Sequence, residues 1–218
     1  MIFLEKSNNI SVVKGVVNTL PTVSHSIMEE NFYLFSVSVK RLSGSFDTIN
    51  VTISEKLLKI VKIEIGDCIE ITGQFRSYNN YSGVGSKLIL TLFAHDIVHI
   101  DEGMLYDNPN YIYLNGYICK PTIYRTTPFG REITDIILAV NRAYGKSDYI
   151  PCITWGRNAK YASCLNVGDH IEIYGRIQSR NYQKKISDDE IVTKTAYEVS
   201  VSKIDLITDE GDLSVGEE

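Results

Sequence analysis

Two alternating apolar runs, Ile136-Ile137-Leu138-Ala139-Val140 and Ile150-Pro151-Cys152-Ile153-Thr154-Trp155, flank a polar tip, Asn141 to Asp148, that holds Tyr144, Gly145 and Lys146. Apolar alternation on both sides of a short glycine-containing tip predicts a β-hairpin. Gly156-Arg157-Asn158-Ala159-Lys160-Tyr161-Ala162 follows as helix-forming material. Val167-Gly168-Asp169 then turns the chain into the alternating strand His170 to Gln178. Hairpin, short helix and glycine-punctuated strand, in that order, outline the centre of a small Greek-key barrel.

The first half reads the same way. Strands are expected over 10–17, 32–41, 47–53, 68–75 and 88–93, and Ser54 with Glu55 starts a helix over 54–61, the serine as N-cap and the acid in the first turn. Gly15 matches Gly116, Pro21 matches Pro121, Val39-Lys40-Arg41 matches Val140-Asn141-Arg142 and Gly44 matches Gly145, at offsets of 100 or 101. Gly66-Asp67-Cys68-Ile69-Glu70-Ile71 matches Gly168-Asp169-His170-Ile171-Glu172-Ile173 at 102. A period near 100 means a duplicated domain and not a solenoid, whose repeats are far shorter. The expected division is a first domain over 1–105, a second over 106–208 and an acidic, disordered tail over 209–218, with a short polar linker at 101–110.

The segments 150–161 (Ile-Pro-Cys-Ile-Thr-Trp-Gly-Arg-Asn-Ala-Lys-Tyr), 167–182 (Val-Gly-Asp-His-Ile-Glu-Ile-Tyr-Gly-Arg-Ile-Gln-Ser-Arg-Asn-Tyr) and 195–201 (Thr-Ala-Tyr-Glu-Val-Ser-Val) resemble bacterial single-stranded DNA-binding proteins of the OB-fold type. The resemblance rests on their combined order and spacing over about half the chain. It implies an all-β fold with short helices, two tandem five-stranded OB-fold barrels. The implied function is to coat single-stranded DNA non-specifically during replication, recombination or repair. Four stacking positions of the family fall on Tyr144, Tyr149, Trp155 and Tyr182, and basic positions on Arg157 and Arg180. Tyr149 and Trp155, six residues apart, share a strand face, and Arg157 joins it if the strand runs that far. Arg142, Arg176 and Lys184 complete the candidate phosphate contacts. The first half has Ser43, Thr48, Ser54 and Asn80 at the four stacking positions. Weak binding, or a role in assembly, is therefore expected of it.

Charge supports this division. Of the net −5, residues 1–105 contribute −2 (9 bases, 11 acids), 106–203 contribute +3 (13 bases, 10 acids) and 204–218 contribute −6 (six acids). A footprint for phosphate therefore belongs to the second half. Stacking and phosphate contact leave RNA open as a ligand. The four cysteines show no Cys-x-x-Cys spacing and His25, His95, His99 and His170 no ligand-like pairing, so no metal or cofactor is expected. Gly83-Val84-Gly85 reads as a loop and Asp188-Asp189-Glu190 as a solvated charge run, which argues against an enzyme. No apolar run approaches a membrane span, and a cytoplasmic location is expected. By the family pattern a homodimer with four barrels is expected, the apolar opening strands Ile10-Ser11-Val12-Val13 and Tyr111-Ile112-Tyr113-Leu114 pairing with another chain. The acidic tail is a candidate docking segment for replication or repair proteins, although it lacks an apolar end. The competing reading is a protein–protein adaptor of a primosome-like or plasmid replication assembly.

Overall fold

The computed structural model describes residues 7–79, 88–185 and 191–208. Asn80, the Gly83-Val84-Gly85 loop, Asp188-Asp189-Glu190 and the 209–218 tail lie outside the described residues. The first half contains β1 (Asn9–Val17), β2 (Thr22–Ile27), β3 (Glu30–Lys40), β4 (Phe46–Ser54), α1 (Glu55–Ile60), β5 (Cys68–Asn79) and β6 (Leu88–His99). The second contains β7 (Asn110–Ile118), β8 (Ile123–Thr126), β9 (Glu132–Arg142), β10 (Lys146–Trp155), α2 (Arg157–Ala162), β11 (His170–Lys185) and β12 (Ile191–Leu206).

In each half five strands close on themselves. β1 pairs with β3 and β5, β3 with β4, β5 with β6, and the parallel pairing of β4 with β6 completes the circle; β7, β9, β10, β12 and β11 repeat it. This is the five-stranded OB barrel, once per half. Alternation fills it: Phe35, Val37 and Val39 on β3 and Ile49, Val51 and Ile53 on β4 are buried at every second position, as are Ile136, Leu138 and Val140 on β9. Each such aliphatic side chain stabilises the fold by about 1.5–3 kcal/mol.

Local signals in the sequence operate as chemistry predicts. Ser54 Oγ accepts the Leu57 N–H at 3.2 Å, and Glu55 and Lys59 pair across one turn at 3.0 Å. The two Gly-Asp turns share one geometry. Gly66 and Gly168 take φ of +93° and +98°, conformations that favour glycine, and Asp67 and Asp169 accept the N–H of the residue three before, Glu64 and Asn166, at 2.7 and 2.8 Å.

Three expectations need correction. Each half has a sixth strand, β2 or β8, paired with β3 or β9 outside the closed barrel; both are short and largely exposed, so they carry no buried-face alternation to read. The predicted 141–148 tip shrinks to a single 3-10 turn over Ala143–Gly145, because β9 and β10 pair up to Arg142 and Lys146. The opening strands find their partners within the chain. β1 and β7 pair with each other, antiparallel, Ile10 with Tyr113, Ser11 with Ile112 and Val12 with Tyr111. At the repeat offset of 101, Ser11 and Ile112 are equivalent positions facing one another, so the two barrels are related like the subunits of an isologous dimer. The 101–110 linker is strapped onto the first barrel: Leu105 is buried, and Lys14 donates its N–H to Pro109 O and its ammonium to Asp107 O.

Candidate nucleic-acid interface

Each hairpin reaches across to the other barrel, and a buried carboxylate anchors it there. Asp47, at the start of β4, accepts the Ser179 N–H and bonds the guanidinium of Arg41 (Nε to Oδ2, 2.8 Å), while Arg176 Nη1 lies 3.2 Å from Oδ2. Asp148, its repeat counterpart at the start of β10, accepts the Ser77 N–H at 2.7 Å and has Arg142 Nε 3.3 Å away. The serine hydroxyls in turn accept backbone N–H groups across the boundary, Ser179 from Thr48 and Ser77 from Tyr149. Burial pushes the Asp148 carboxyl above the usual range, with the Ser77 N–H and Arg142 pulling back. Arg176 is pushed down by burial, opposed by Asp47.

This arrangement sorts the candidate residues into two places. Trp155, Arg176 and Arg180 come together in a cleft of about 480 Å³ on the second barrel. Trp155 is 37% exposed and its indole N–H donates to Ser200 Oγ at 3.3 Å. The Arg180 guanidinium stands 6.0 Å from the centre of the Tyr182 ring and 4.0 Å from Glu198, which carries Tyr182 to the same edge. Three cations of this cleft, Arg41, Arg125 and Arg131, were missing from the sequence reading. Arg125 and Arg131 flank the β8–β9 turn, where short exposed β8 left no periodicity to follow. Arg41 belongs to the first half and arrives only because its hairpin crosses over; its match with Arg142 in the repeat was the available signal.

Tyr144 and Arg142 lie elsewhere. With Lys146 they line a second cleft, of about 420 Å³, whose opposite wall is Gln74 and Arg76 of the first barrel. Tyr144 is fully exposed at the tip with φ +63°. Tyr149 is half exposed, its backbone held by Ser77. Arg157 does not continue the Trp155 face. The strand ends at Trp155, Gly156 turns the chain at φ +56°, and Arg157 opens α2, exposed. The side chain of Lys184 lies outside the described residues.

Among the described residues no cluster of His, Cys, Asp or Glu is arranged to hold a metal, and no helix is long and apolar enough to cross a membrane. What the clefts offer is arginine and lysine charge beside partly exposed rings, the chemistry of phosphate and base contact.

The profile of the single-strand binding protein family matches residues 109–207. Single-stranded DNA-binding protein A of Bacillus subtilis is 33% identical over 96 residues, 41% of this chain and 56% of that protein. The single-stranded DNA-binding protein of Clostridium tetani is 35% identical over 92 residues, 39% and 63%. The chain thus spans a little over half the length of these relatives. The fold likeness extends further: the wild-type single-stranded DNA binding protein of Thermus aquaticus superimposes with a TM-score of 0.74 over 95% of this chain and 96% of that one, at 17% identity. Barrel topology and family profile agree: residues 109–207, the second barrel, match the single-strand binding protein family, and the chain shares the tandem-barrel fold of the Thermus aquaticus protein.

Proposed function

We propose that this protein binds single-stranded DNA without sequence preference, through the Trp155 cleft of the second barrel. The observation that carries the reading is the placement of a partly exposed indole among Arg41, Arg125, Arg131, Arg176 and Arg180. Bases stack on rings of any sequence context, and arginines take the phosphates between them. Tyr182, beside Arg180, extends the track; Arg157, exposed at the start of α2, is a further phosphate contact by the family pattern. Such binding coats and protects strands exposed during replication, recombination or repair, inside the cytoplasm, and involves no catalysis. Recruitment of replication or repair proteins would fall to the acidic 209–218 segment.

Two chains would bring four barrels to one strand, the homodimer expected from the family pattern. With β1 and β7 already paired, its interface must use other surfaces. Light scattering near 49 kDa, twice the 24.6 kDa chain, would show it.

Trp155 is the only tryptophan, so its fluorescence reports the cleft directly. Titration with oligo-dT should quench it, with affinity falling as salt rises. An unchanged signal at concentrations where anisotropy shows no complex would leave the adaptor reading in its place.

A further inference from the structure

The first barrel has no ring at the described family positions Ser43, Thr48 and Ser54, yet its equivalent face is aromatic. In the second barrel Trp155 is paired with Ile133 on the neighbouring strand; in the first, Ser54 is paired with Phe32. The ring has crossed the strand pair. Ser200, which holds the indole, follows the residue that pairs in parallel with Cys152; Phe93 follows the residue that pairs in parallel with Val51, the counterpart of Cys152. Phe32 and Phe93 pack at 5.8 Å and thus occupy the place of Trp155 and Ser200. His25 lies flat on Phe32, 5.1 Å between centres and 10° between planes, where Arg125 pairs with Ile133 in the second barrel. Tyr78 stands 6.4 Å from His25. These four rings are partly buried, each keeping some surface open to solvent.

The face is also positively charged. Arg76 donates to the neutral Gln74 side chain and lays its guanidinium 3.9 Å from the centre of Phe93. Five of the eleven acids of this half are in ion pairs: Glu30 with Lys56, Asp47 with Arg41, Glu55 with Lys59, Glu64 with Lys62 and Glu70 with Lys14. The hairpin of the second barrel adds Arg142, 5.8 Å over Tyr78, together with Tyr144 and Lys146. Arg41 makes the reciprocal crossing into the Trp155 cleft.

We propose that Phe32, Phe93, His25 and Tyr78 form a second platform for unpaired bases, with Arg76 of the same barrel and Arg142, Tyr144 and Lys146 of the other taking the phosphates and closing the site. The inference rests on the single-strand reading of the molecule. It gives one chain two composite sites related by the internal two-fold, each built on one barrel and completed by the hairpin of the other.

The test uses the full chain. In a Trp155→Phe, Phe93→Trp double variant, the sole tryptophan reports the first barrel, and oligo-dT should quench it. A Phe32→Leu, Phe93→Leu variant keeps the apolar volume but removes the rings. It should bind long oligo-dT about tenfold more weakly and occlude fewer nucleotides per chain, with an unchanged thermal melt. Quenching of native Trp155 alongside a silent Phe93→Trp and an unaltered leucine variant would overturn this inference while sparing the second-barrel reading. No complex with either protein would sink both. Should Phe93→Trp not fold, the leucine variant decides alone: unchanged affinity and site size overturn the proposal.

Discussion

Trp155 and Arg157 stand two residues apart, yet Gly156 sends them into different environments. Their substitutions should accordingly differ in kind. Trp155→Ala removes a stacking surface and should weaken oligo-dT binding by about 1–3 kcal/mol with the salt slope unchanged. Arg157→Ala tests the phosphate role that the family pattern assigns to this exposed base and should lower the slope of log affinity against log salt by about 0.7. Titrations at several salt concentrations separate the two. If both variants only lowered the melting temperature, ring and guanidinium would be packing groups.

The β9–β10 hairpin carries residues of both proposed sites, Trp155 at its end and Tyr144 at its tip. Its tip holds Tyr144 in a left-handed conformation that costs a non-glycine residue about 1–2 kcal/mol. An exposed aromatic kept in such a backbone is a candidate for function over stability. Tyr144→Gly should therefore hold or raise the melting temperature while weakening single-strand binding. Unaltered affinity in a variant of equal or greater stability would show that the tip takes no part.

For the whole molecule, the boundary between barrels hangs on two buried carboxylates, Asp47 and Asp148. Breaking a buried ion pair leaves the partner charge uncompensated and costs about 3 kcal/mol; Asp148→Asn should fall there or below, since Arg142 is partly exposed and can turn to solvent. The raised Asp148 pKa sets the pH dependence. Between the ordinary carboxylate value and the raised one, the folded state binds more protons than the unfolded chain, so this group's contribution to stability falls as pH rises through that window. Asparagine carries no such slope. Urea unfolding should then show a larger stability gap between wild type and Asp148→Asn at pH 4 than at pH 7; a larger gap at pH 7 would contradict the assignment.

What the sequence determined by itself was everything local or periodic. Apolar patterning located nine of the ten barrel strands, Ser54 located α1, and the recurring Gly-Asp turn revealed two copies of one barrel, because each depends on neighbours within a few positions. Trp155 and Arg180 were legible through the family resemblance, with Arg176 as a nearby base; what brings them together is β12, which pairs with both β10 and β11. The tertiary structure decided which barrel each hairpin serves. Arg41 enters the second cleft, and Tyr144 faces Arg76 of the first barrel, only because β1 and β7 pair about a two-fold and Asp47 and Asp148 anchor each hairpin on its neighbour. The aromatic face of the first barrel was hidden for the same reason. Phe32, Phe93, His25 and Tyr78 lie on four different strands, β3, β6, β2 and β5, and what gathers them is the sideways pairing of strands, which leaves no mark in the spacing of residues along the chain.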